Sequence, residues 1–356
     1  MNKRIEQVQE RIKALDLDTF LVISPENRRY LTGFTGTAGW VLVTQEDAYF
    51  FTDFRYVEQA HEQVKDCQIV RLDQFSPYLT VRQKMEELDL YTMGIESERC
   101  TVEEYQALKN QFGTKAIQPQ KHLVEDIRMI KSPEEIELIA QAEHIGDEAF
   151  KHILGFIKPG VTEKEVALEL EFFMRRQGAQ SLSFDSIVAS GARSSLPHGV
   201  ASDKKIEAGD FVTMDFGCIY KGYCSDMTRT IAVGKVDERQ KEVYNLVLKA
   251  QLEALAGIKA GVIGKDIDAL CRAVYREAGC LSYFGHGLGH SVGLEIHEEP
   301  RFSTKDEHVM QENMIMTVEP GLYYPNWGGV RIEDLIVIKE DGYENLTHSP
   351  KELLIV

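Results

Sequence analysis

The spacing of apolar and polar positions divides the chain into two parts. The first part alternates short apolar runs typical of strands, such as TFLVIS (19–24) and WVLVT (40–44), with helical patterns. A helix is predicted over residues 101–111, because Thr101 and Glu104 form the capping-box pattern that opens many helices. This alternation predicts a small α/β domain.

The second part opens with two helix-start signals. The run SPEE (132–135) offers an N-cap serine, a proline at the first helical position and a glutamate that closes a capping box. The run TEKE (162–165) repeats the capping pattern after the helix-breaking run KPG (158–160). We therefore expect a long helix that ends near residue 154 and a second helix that begins after residue 162.

Strand-like runs then alternate with helical ones. The β-rich runs form two predicted hairpins with short turns, FVTMDFGC (211–218) with YCSDMTRTIAVG (223–234), and NMIMTVEPGLYY (313–324) with GGVRIEDLIVIK (328–339). Two helical stretches, roughly 238–258 and 265–278, lie between the hairpins. The second part therefore reads as helices, acidic hairpin, helices, acidic hairpin, and the whole chain as α+β.

Length and charge limit the classes of protein to consider. The 356 residues exceed the ~250–300 at which a single core stops growing, so we predict two domains, residues 1–122 and 123–356. A net charge of −17 argues against nucleic-acid and anionic-membrane partners, which require basic patches. The apolar runs are too short for a signal peptide or a membrane span, and the six cysteines form no CxxC pair. We expect a cytoplasmic protein with reduced core cysteines.

Four acidic residues interrupt the apolar hairpin strands: Asp215, Asp226, Glu319 and Glu333. Buried carboxylates are costly unless they are paired or bind a cation, so each acid alone is better explained as facing solvent. Together, two hairpins with one acid per strand can direct four carboxylates into one cavity, which a metal would make tolerable. His290 in FGHGLGHSVG adds an imidazole. Such a set suits manganese, cobalt or iron(II) better than structural zinc.

These residues carry a family resemblance. The ordered set Asp, Asp, His, Glu, Glu stands in the contexts MDFG, SDMTRT, GHGLGH, TVEPG and RIED. In this the sequence resembles the creatinase and methionine-aminopeptidase superfamily of pita-bread fold, and within it the proline-peptidase branch. The segments SPENRRYLTGFTG (24–36) and TDFRYVEQA (52–60) resemble that branch's N-terminal domain, which methionine aminopeptidases lack. The resemblance implies a C-terminal pita-bread catalytic domain, a smaller creatinase-like N-terminal α/β domain, and a homodimer.

The resemblance also implies a site for two divalent metal ions. Asp226 and Glu333 would bridge the ions, Asp215 would complete one coordination sphere, and His290 with Glu319 the other. Manganese is the expected metal, with cobalt, iron(II) and zinc as alternatives. Glu319 is the candidate to move a proton from the attacking water toward the leaving nitrogen.

Six further residues receive candidate roles. His198 in LPHG and His297 in LEIHEEP would donate hydrogen bonds to the substrate carbonyl and its tetrahedral intermediate, although either histidine alone is more often structural. His286 is expected to face the substrate or to support the metal ligands. Arg331 and Thr228 flank bridging ligands and are expected to orient carboxylates, and Arg331 is also a candidate to contact substrate. Arg301 could grip a substrate carboxylate, with a surface salt bridge as the alternative.

The implied activity is hydrolysis of the bond before proline in a dipeptide or short peptide. That bond lacks an N–H, so it needs a dedicated enzyme, but the preference for proline rests on the resemblance alone. Arg301 favours an Xaa-Pro dipeptidase over an Xaa-Pro aminopeptidase. A non-catalytic peptide-binding scaffold, a metal-free creatinase-like hydrolase and a methionine aminopeptidase are the competing classes. The glycines near His286 fit neither a phosphate loop nor an HExxH helix.

Overall fold

The computed structural model describes residues 2–73, 75–113 and 116–356. The chain divides into two compact units, Met1–Arg128 and Met129–Val356. The domain boundary expected at residue 122 stays a prediction; the two compact units meet six residues later, at Arg128. No helix within the described ranges is both long and apolar enough to cross a membrane.

The first unit is an α/β unit built on one mixed sheet. Its elements in chain order are α1 (Lys3–Ala14), β1 (Thr19–Val22), α2 (Pro25–Thr32), β2 (Trp40–Thr44), β3 (Ala48–Thr52), α3 (Val57–Gln63), β4 (Gln68–Arg71), α4 (Pro77–Glu87), β5 (Met93–Glu96), α5 (Val102–Phe112), β6 (Ile117–Gln120) and α6 (Glu125–Arg128). Among the described residues the strands follow the order β4-β3-β2-β1-β5-β6. Strand β1 pairs antiparallel with β2 and parallel with β5. Helix α5 begins at the predicted capping box of Thr101 and Glu104.

The second unit contains the predicted helix pairs and hairpins. Its elements in chain order are α7 (Pro133–Ile153), α8 (Glu163–Arg176), β7 (Ser181–Leu182), β8 (Ile187–Ser190), β9 (Phe211–Phe216), β10 (Cys218–Tyr220), β11 (Tyr223–Cys224), β12 (Met227–Ala232), α9 (Glu238–Ala256), α10 (Gly264–Glu277), β13 (Gly289–Ser291), β14 (Glu298–Phe302), β15 (Ile315–Val318), β16 (Gly321–Tyr324), β17 (Gly328–Arg331), β18 (Asp334–Lys339) and β19 (Gly342–Asn345). Both predicted capping boxes are present, at the starts of α7 and α8. The order of helices and hairpins is confirmed.

The hairpins differ from the prediction at their acidic residues. Three of the four acids lie where a strand is interrupted rather than inside it: Asp226 between β11 and β12, Glu319 between β15 and β16, and Glu333 between β17 and β18. At the first hairpin the strands approach too closely for a side chain, since a Cβ on Gly217 would lie 1.9 Å from the carbonyl oxygen of Ser225. The chain therefore changes pairing partners at this crossing, from β9–β12 to β10–β11.

Each hairpin is covered by its own pair of helices. Apolar side chains of α7 and α8 pack against Val212, Met214 and Phe216 of β9 in one buried cluster. A second cluster packs α9 and α10 against Met316, Val318 and residues of β16 to β18. Because successive side chains of a strand point to opposite faces, the intervening residues must face away from the helices.

Candidate metal centre

Side chains alternate between the two faces of each strand, and this alternation places the acidic side chains on the face that is turned away from the helices. On β9, Met214 faces the helices, so Asp215 faces the opposite side. The same alternation holds in the second hairpin. Val318 and Ile332, which directly precede Glu319 and Glu333, pack in the cluster with helices α9 and α10. Glu319 follows Thr317 on the outward face, and the Thr317 hydroxyl lies 3.3 Å from the Glu319 carboxylate. The covering helices thus determine where the carboxylates point.

A short antiparallel pair, β13 with β14, brings in His290. The strand lies unusually close to β15, because a Cβ on Gly289 would meet the Thr317 carbonyl oxygen at 2.0 Å. The His290 amide donates to the Thr317 hydroxyl at 3.0 Å. Its Nδ1 lies 3.1 Å from the Ser291 carbonyl oxygen, which assigns the proton to Nδ1 and leaves the lone pair of Nε2 facing the acids.

The imidazole completes a compact cluster with the carboxylates. His290 Nε2 lies 3.5 Å from an oxygen of Asp226 and 3.5 Å from an oxygen of Glu319. Single ligand atoms of Asp226, His290 and Glu333 lie within 4.8 Å of one another, and all three residues are buried. Four of the five predicted metal ligands, the imidazole and three carboxylates, therefore converge in one cluster.

The fifth, Asp215, is joined to this cluster through Arg331. The Arg331 guanidinium donates to Asp215 Oδ2 at 2.7 Å and to the Thr228 hydroxyl at 3.0 Å. Thr228 in turn donates to Glu333 at 2.7 Å. Another guanidinium nitrogen donates to the Tyr323 hydroxyl at 2.9 Å. The predicted orienting partners, Arg331 and Thr228, therefore link acids of both hairpins.

Burial and mutual repulsion perturb the titration of the cluster. Burial raises the pKa of Asp226 well above its usual range, and the Glu333 carboxylate adds to the shift. Burial also raises the pKa of Glu333 well above its usual range, and raises that of Glu319 to about 8. Burial lowers the pKa of His290 to about 3, so its imidazole is neutral near neutral pH. Crowded carboxylates beside a neutral imidazole form a donor set that cations stabilise.

The cluster lines a cavity of about 530 Å³, a volume typical of small-ligand sites. The other predicted site residues also line this cavity: His198, His286, His297, Arg301 and Arg331. The rings of His290 and His297 have centroids 4.5 Å apart. The Arg301 side chain is 44% exposed, and its Nε donates to Glu299 at 3.2 Å. The surface ion pair considered from the sequence is therefore present, on a residue that also reaches the cavity.

Two residues of the site were missed by the sequence reasoning. The Tyr323 hydroxyl lies 2.9 Å from His286 Nε2 and thereby links this histidine to Arg331. The fully buried Glu143 of α7 accepts from the Asp226 amide at 3.3 Å and from the Thr347 hydroxyl. A glutamate in a helix centre among apolar residues was the available signal for Glu143. Tyr323 offered none, because a tyrosine in a strand is ordinary.

Comparisons with known proteins cover nearly the whole chain. The family model described as metallopeptidase family M24 matches residues 137–340, and that of the creatinase/prolidase N-terminal domain matches residues 4–130. A solved structure of an Xaa-Pro dipeptidase from Bacillus anthracis is 50% identical, with a TM-score of 0.97 and 99% of each chain covered. An uncharacterised peptidase of Bacillus subtilis is 48% identical, over 99% of this chain and 100% of the relative. A solved X-Pro aminopeptidase from Thermotoga maritima is 38% identical, with a TM-score of 0.91 and 99% of each chain covered.

Proposed function

The chain belongs to metallopeptidase family M24, and from this premise we propose that it hydrolyses the Xaa-Pro bond of dipeptides with two divalent metal ions. The observation that carries the proposal is the buried cluster of Asp226, His290 and Glu333 in the wall of a substrate-sized cavity. The name of the Bacillus anthracis relative supports the dipeptide substrate.

The residues present fit a metal site. Asp215 Oδ1 is buried and has no hydrogen-bond partner among the described residues, although the other oxygen of this carboxylate is bonded to Arg331. A buried carboxylate oxygen without a partner is costly unless a cation completes its environment. We assign Asp215, Asp226, His290, Glu319 and Glu333 as the ligands. Their carboxylate-rich composition favours manganese, cobalt or iron(II) over structural zinc.

The side chains around the ligands then have distinct tasks. Bound metal ions lower the pKa of water and polarise the scissile carbonyl. Arg331 holds Asp215, and Thr228 holds Glu333, each through a hydrogen bond to a carboxylate oxygen. Glu319 lies 3.5 Å from His290 in the wall of the cavity and is suited to take a proton from water and pass it to the leaving nitrogen. His198 and His297 donate hydrogen bonds to the carbonyl oxygen of the scissile bond.

Arg301 is the residue on which the substrate length depends. A dipeptide presents its carboxylate next to the proline ring, and a guanidinium can bind both carboxylate oxygens at once. Arg301 reaches the cavity and forms the ion pair described above with the partly exposed Glu299. Xaa-Pro aminopeptidase is the alternative that the Thermotoga maritima structure supports.

The test compares manganese-loaded protein on an Xaa-Pro dipeptide and on the same dipeptide extended at its C-terminus. We expect hydrolysis of the dipeptide, with a large rise in KM for the variant Arg301→Met and a smaller rise for Arg301→Lys. Arg175→Met removes an exposed arginine of α8 and serves as the matched control. Hydrolysis of the longer peptide alone would establish the aminopeptidase, and hydrolysis of neither would refute the proposal.

The competing scaffold function is tested by the metal itself. Asp226→Asn should abolish both metal uptake and hydrolysis if the cluster is catalytic, because Asp226 lies at its centre. Calorimetric titration with manganese, cobalt, iron(II) and zinc would rank the metals independently of activity. The predicted homodimer is tested by measuring the molar mass of the protein with light scattering during size-exclusion chromatography.

A further inference from the structure

His198 lies in an irregular segment whose two ends are bonded to one carboxylate. The segment follows β8, begins as a short 3₁₀ helix (Gly191–Ser195), and continues to Ser202. At its start, the amide and hydroxyl of Ser190 donate to Glu163 Oε1 at 2.7 and 2.9 Å. At its end, the amide and hydroxyl of Ser202 donate to Glu163 Oε2 at 3.0 and 2.6 Å. The carboxylate therefore closes the segment into a loop.

Arg193, within the loop, also bonds to the Glu163 carboxylate. Arg193 donates through Nε to both oxygens of Glu163, at 3.0 and 3.3 Å. Through Nη2 it donates to the Val200 carbonyl oxygen at 2.7 Å. Since Val200 lies two residues after His198, this arginine ties the histidine's own turn to Glu163. The charge of the fully buried Glu163 is thereby compensated.

The opposite side of the loop contacts the second acidic hairpin. The Ser194 hydroxyl accepts from the Gly329 amide at 2.8 Å. The Pro197 carbonyl oxygen, next to His198, accepts from Arg331 at 3.2 Å. His198 is thus presented between Arg331, which holds a proposed metal ligand, and Glu163, which lines no part of the cavity.

We propose that Glu163 is a positioning residue that holds His198 in place for catalysis. The inference rests on the proposed function, because it assumes that His198 donates a hydrogen bond to the substrate carbonyl. A donor must be placed within a few tenths of an ångström to be effective, and misplacement by ~1 Å can cost 100-fold in rate. His198 itself is exposed at the cavity. Because packing does not hold its side chain in place, the position of the imidazole depends on how firmly the backbone of the loop is held.

Helix capping would be the purely structural explanation of a glutamate at this position. That task is already performed by Glu165 in the same turn of α8, whose carboxylate accepts from the Thr162 amide at 2.7 Å and hydroxyl at 2.8 Å. Glu165 is exposed, and its hydrogen bonds in the described part of the chain go to Thr162 rather than to the His198 loop. Glu165→Gln is therefore a matched control, with the same chemical change in the same helical turn.

The experiment compares Glu163→Gln with Glu165→Gln in manganese-loaded protein. Glutamine keeps the volume but replaces one acceptor oxygen by an amide that donates, so one end of the loop loses its anchor. We expect kcat on an Xaa-Pro dipeptide to fall about 10- to 100-fold in Glu163→Gln, with KM and manganese affinity unchanged. In a His198→Ala background the same substitution should cost less than about twofold, because its effect passes through His198.

Hydrogen exchange supplies a readout that does not require activity. The amides of Ser190 and Ser202 should exchange faster in Glu163→Gln, and at the wild-type rate in Glu165→Gln. If Glu163→Gln proves unstable, Ser202→Ala removes the 2.6 Å bond to Glu163 and the 3.2 Å bond that the Ser202 hydroxyl accepts from the Lys204 amide, and it keeps the bond from the Ser202 amide to Glu163. This variant should show a smaller fall in kcat with the same dependence on His198.

The outcomes separate this inference from the proposed function. An unchanged kcat in Glu163→Gln, unchanged exchange of the two amides, or an undiminished loss in the His198→Ala background would each overturn the role of Glu163. A wild-type protein that binds manganese but cleaves no Xaa-Pro substrate would instead refute the proposed function.

Discussion

Arg331 offers the sharpest test of how the metal centre is held together. Its side chain is 3% exposed and forms a 2.7 Å ion pair with Asp215, which is 14% exposed. Its other nitrogens donate to the Thr228 hydroxyl, the Tyr323 hydroxyl and the Pro197 carbonyl oxygen. Removing one partner of such a pair leaves an uncompensated buried charge and costs about 3–5 kcal/mol. Arg331→Met should therefore lower the free energy of unfolding of the metal-stripped protein by about that amount.

The variant Arg331→Lys separates charge from geometry. Lysine keeps the positive charge but cannot hold Asp215, Thr228 and Tyr323 at once, because it lacks the planar fork. If orientation of the ligands dominates, both variants should lose about 10- to 100-fold in metal affinity. If charge repulsion between the arginine and the metal dominates, Arg331→Met should instead bind metal more tightly and Arg331→Lys should be neutral. That result would refute our reasoning.

The assay needs a signal from the second unit alone. Trp327 lies in that unit and Trp40 in the first, so urea unfolding is followed by fluorescence in a Trp40→Phe background. Metal affinity is measured by calorimetry on the same proteins. Arg175→Met, which breaks the exposed pair with Glu171, should change stability by no more than about 1 kcal/mol.

Three further predictions concern pH, a buried ion pair and a hydroxyl. Metal-stripped protein should lose stability between pH values of about 6.5 and about 8, because an unfolded glutamate titrates near 4.3, whereas burial raises the pKa of Glu319 to about 8. Below about 6.5 the lowered pKa of His290 acts in the opposite direction, since an unfolded histidine still binds a proton there. The folded state then binds more protons than the unfolded state in that window. The urea concentration at the unfolding midpoint should therefore fall with rising pH. Saturating manganese should flatten this trend. Midpoints that rise with pH would contradict the prediction. Lys131 and Glu298 form a buried 3.2 Å ion pair beside the strands of His290, so Lys131→Met alone should cost about 3–5 kcal/mol. The double variant Lys131→Met/Glu298→Gln should recover part of that loss in the same urea assay, and no recovery would count against the pairing. Tyr323→Phe should cost about 1–3 kcal/mol in a urea titration, because the buried Arg331 and the partly buried His286 each lose a hydrogen bond. An unchanged midpoint would show that water replaces the hydroxyl.

Local signals made much of the fold predictable from the sequence. The capping boxes at Thr101, Ser132 and Thr162 each start a helix in the structure, because such a motif depends only on residues three apart. The direction of the acids was also encoded locally. Apolar residues at alternate positions of a strand fix its buried face, and Asp215 then has only the other face available.

The strand interruptions and the supporting residues could not be predicted in the same way. Glu319 and Glu333 follow long β-forming runs, and nothing local distinguishes a continuous strand from one that breaks at the acid. Tyr323 and Glu163 acquire their roles from partners distant in the chain; for Glu163, Ser202 lies 39 positions away. Such convergence is a property of the tertiary fold, and a single sequence shows only that the residues exist.

Hydrogen bonds between the hairpins explain how crowded carboxylates are tolerated. The Glu333 amide donates to the Thr228 carbonyl oxygen at 3.1 Å, and the Thr230 hydroxyl donates to the Arg331 carbonyl oxygen at 3.0 Å. Together with the bond from Arg331 to Asp215, these contacts join β9 and β12 to the β17–β18 strands independently of any cation. The carboxylates therefore repel one another within hairpins that hydrogen bonds already hold in place. Metal binding consequently needs to order few side chains or backbone segments. This distinguishes the centre from small zinc domains, whose fold appears only with the metal. Chelation should accordingly lower the stability of the second unit while its helices and hairpins persist.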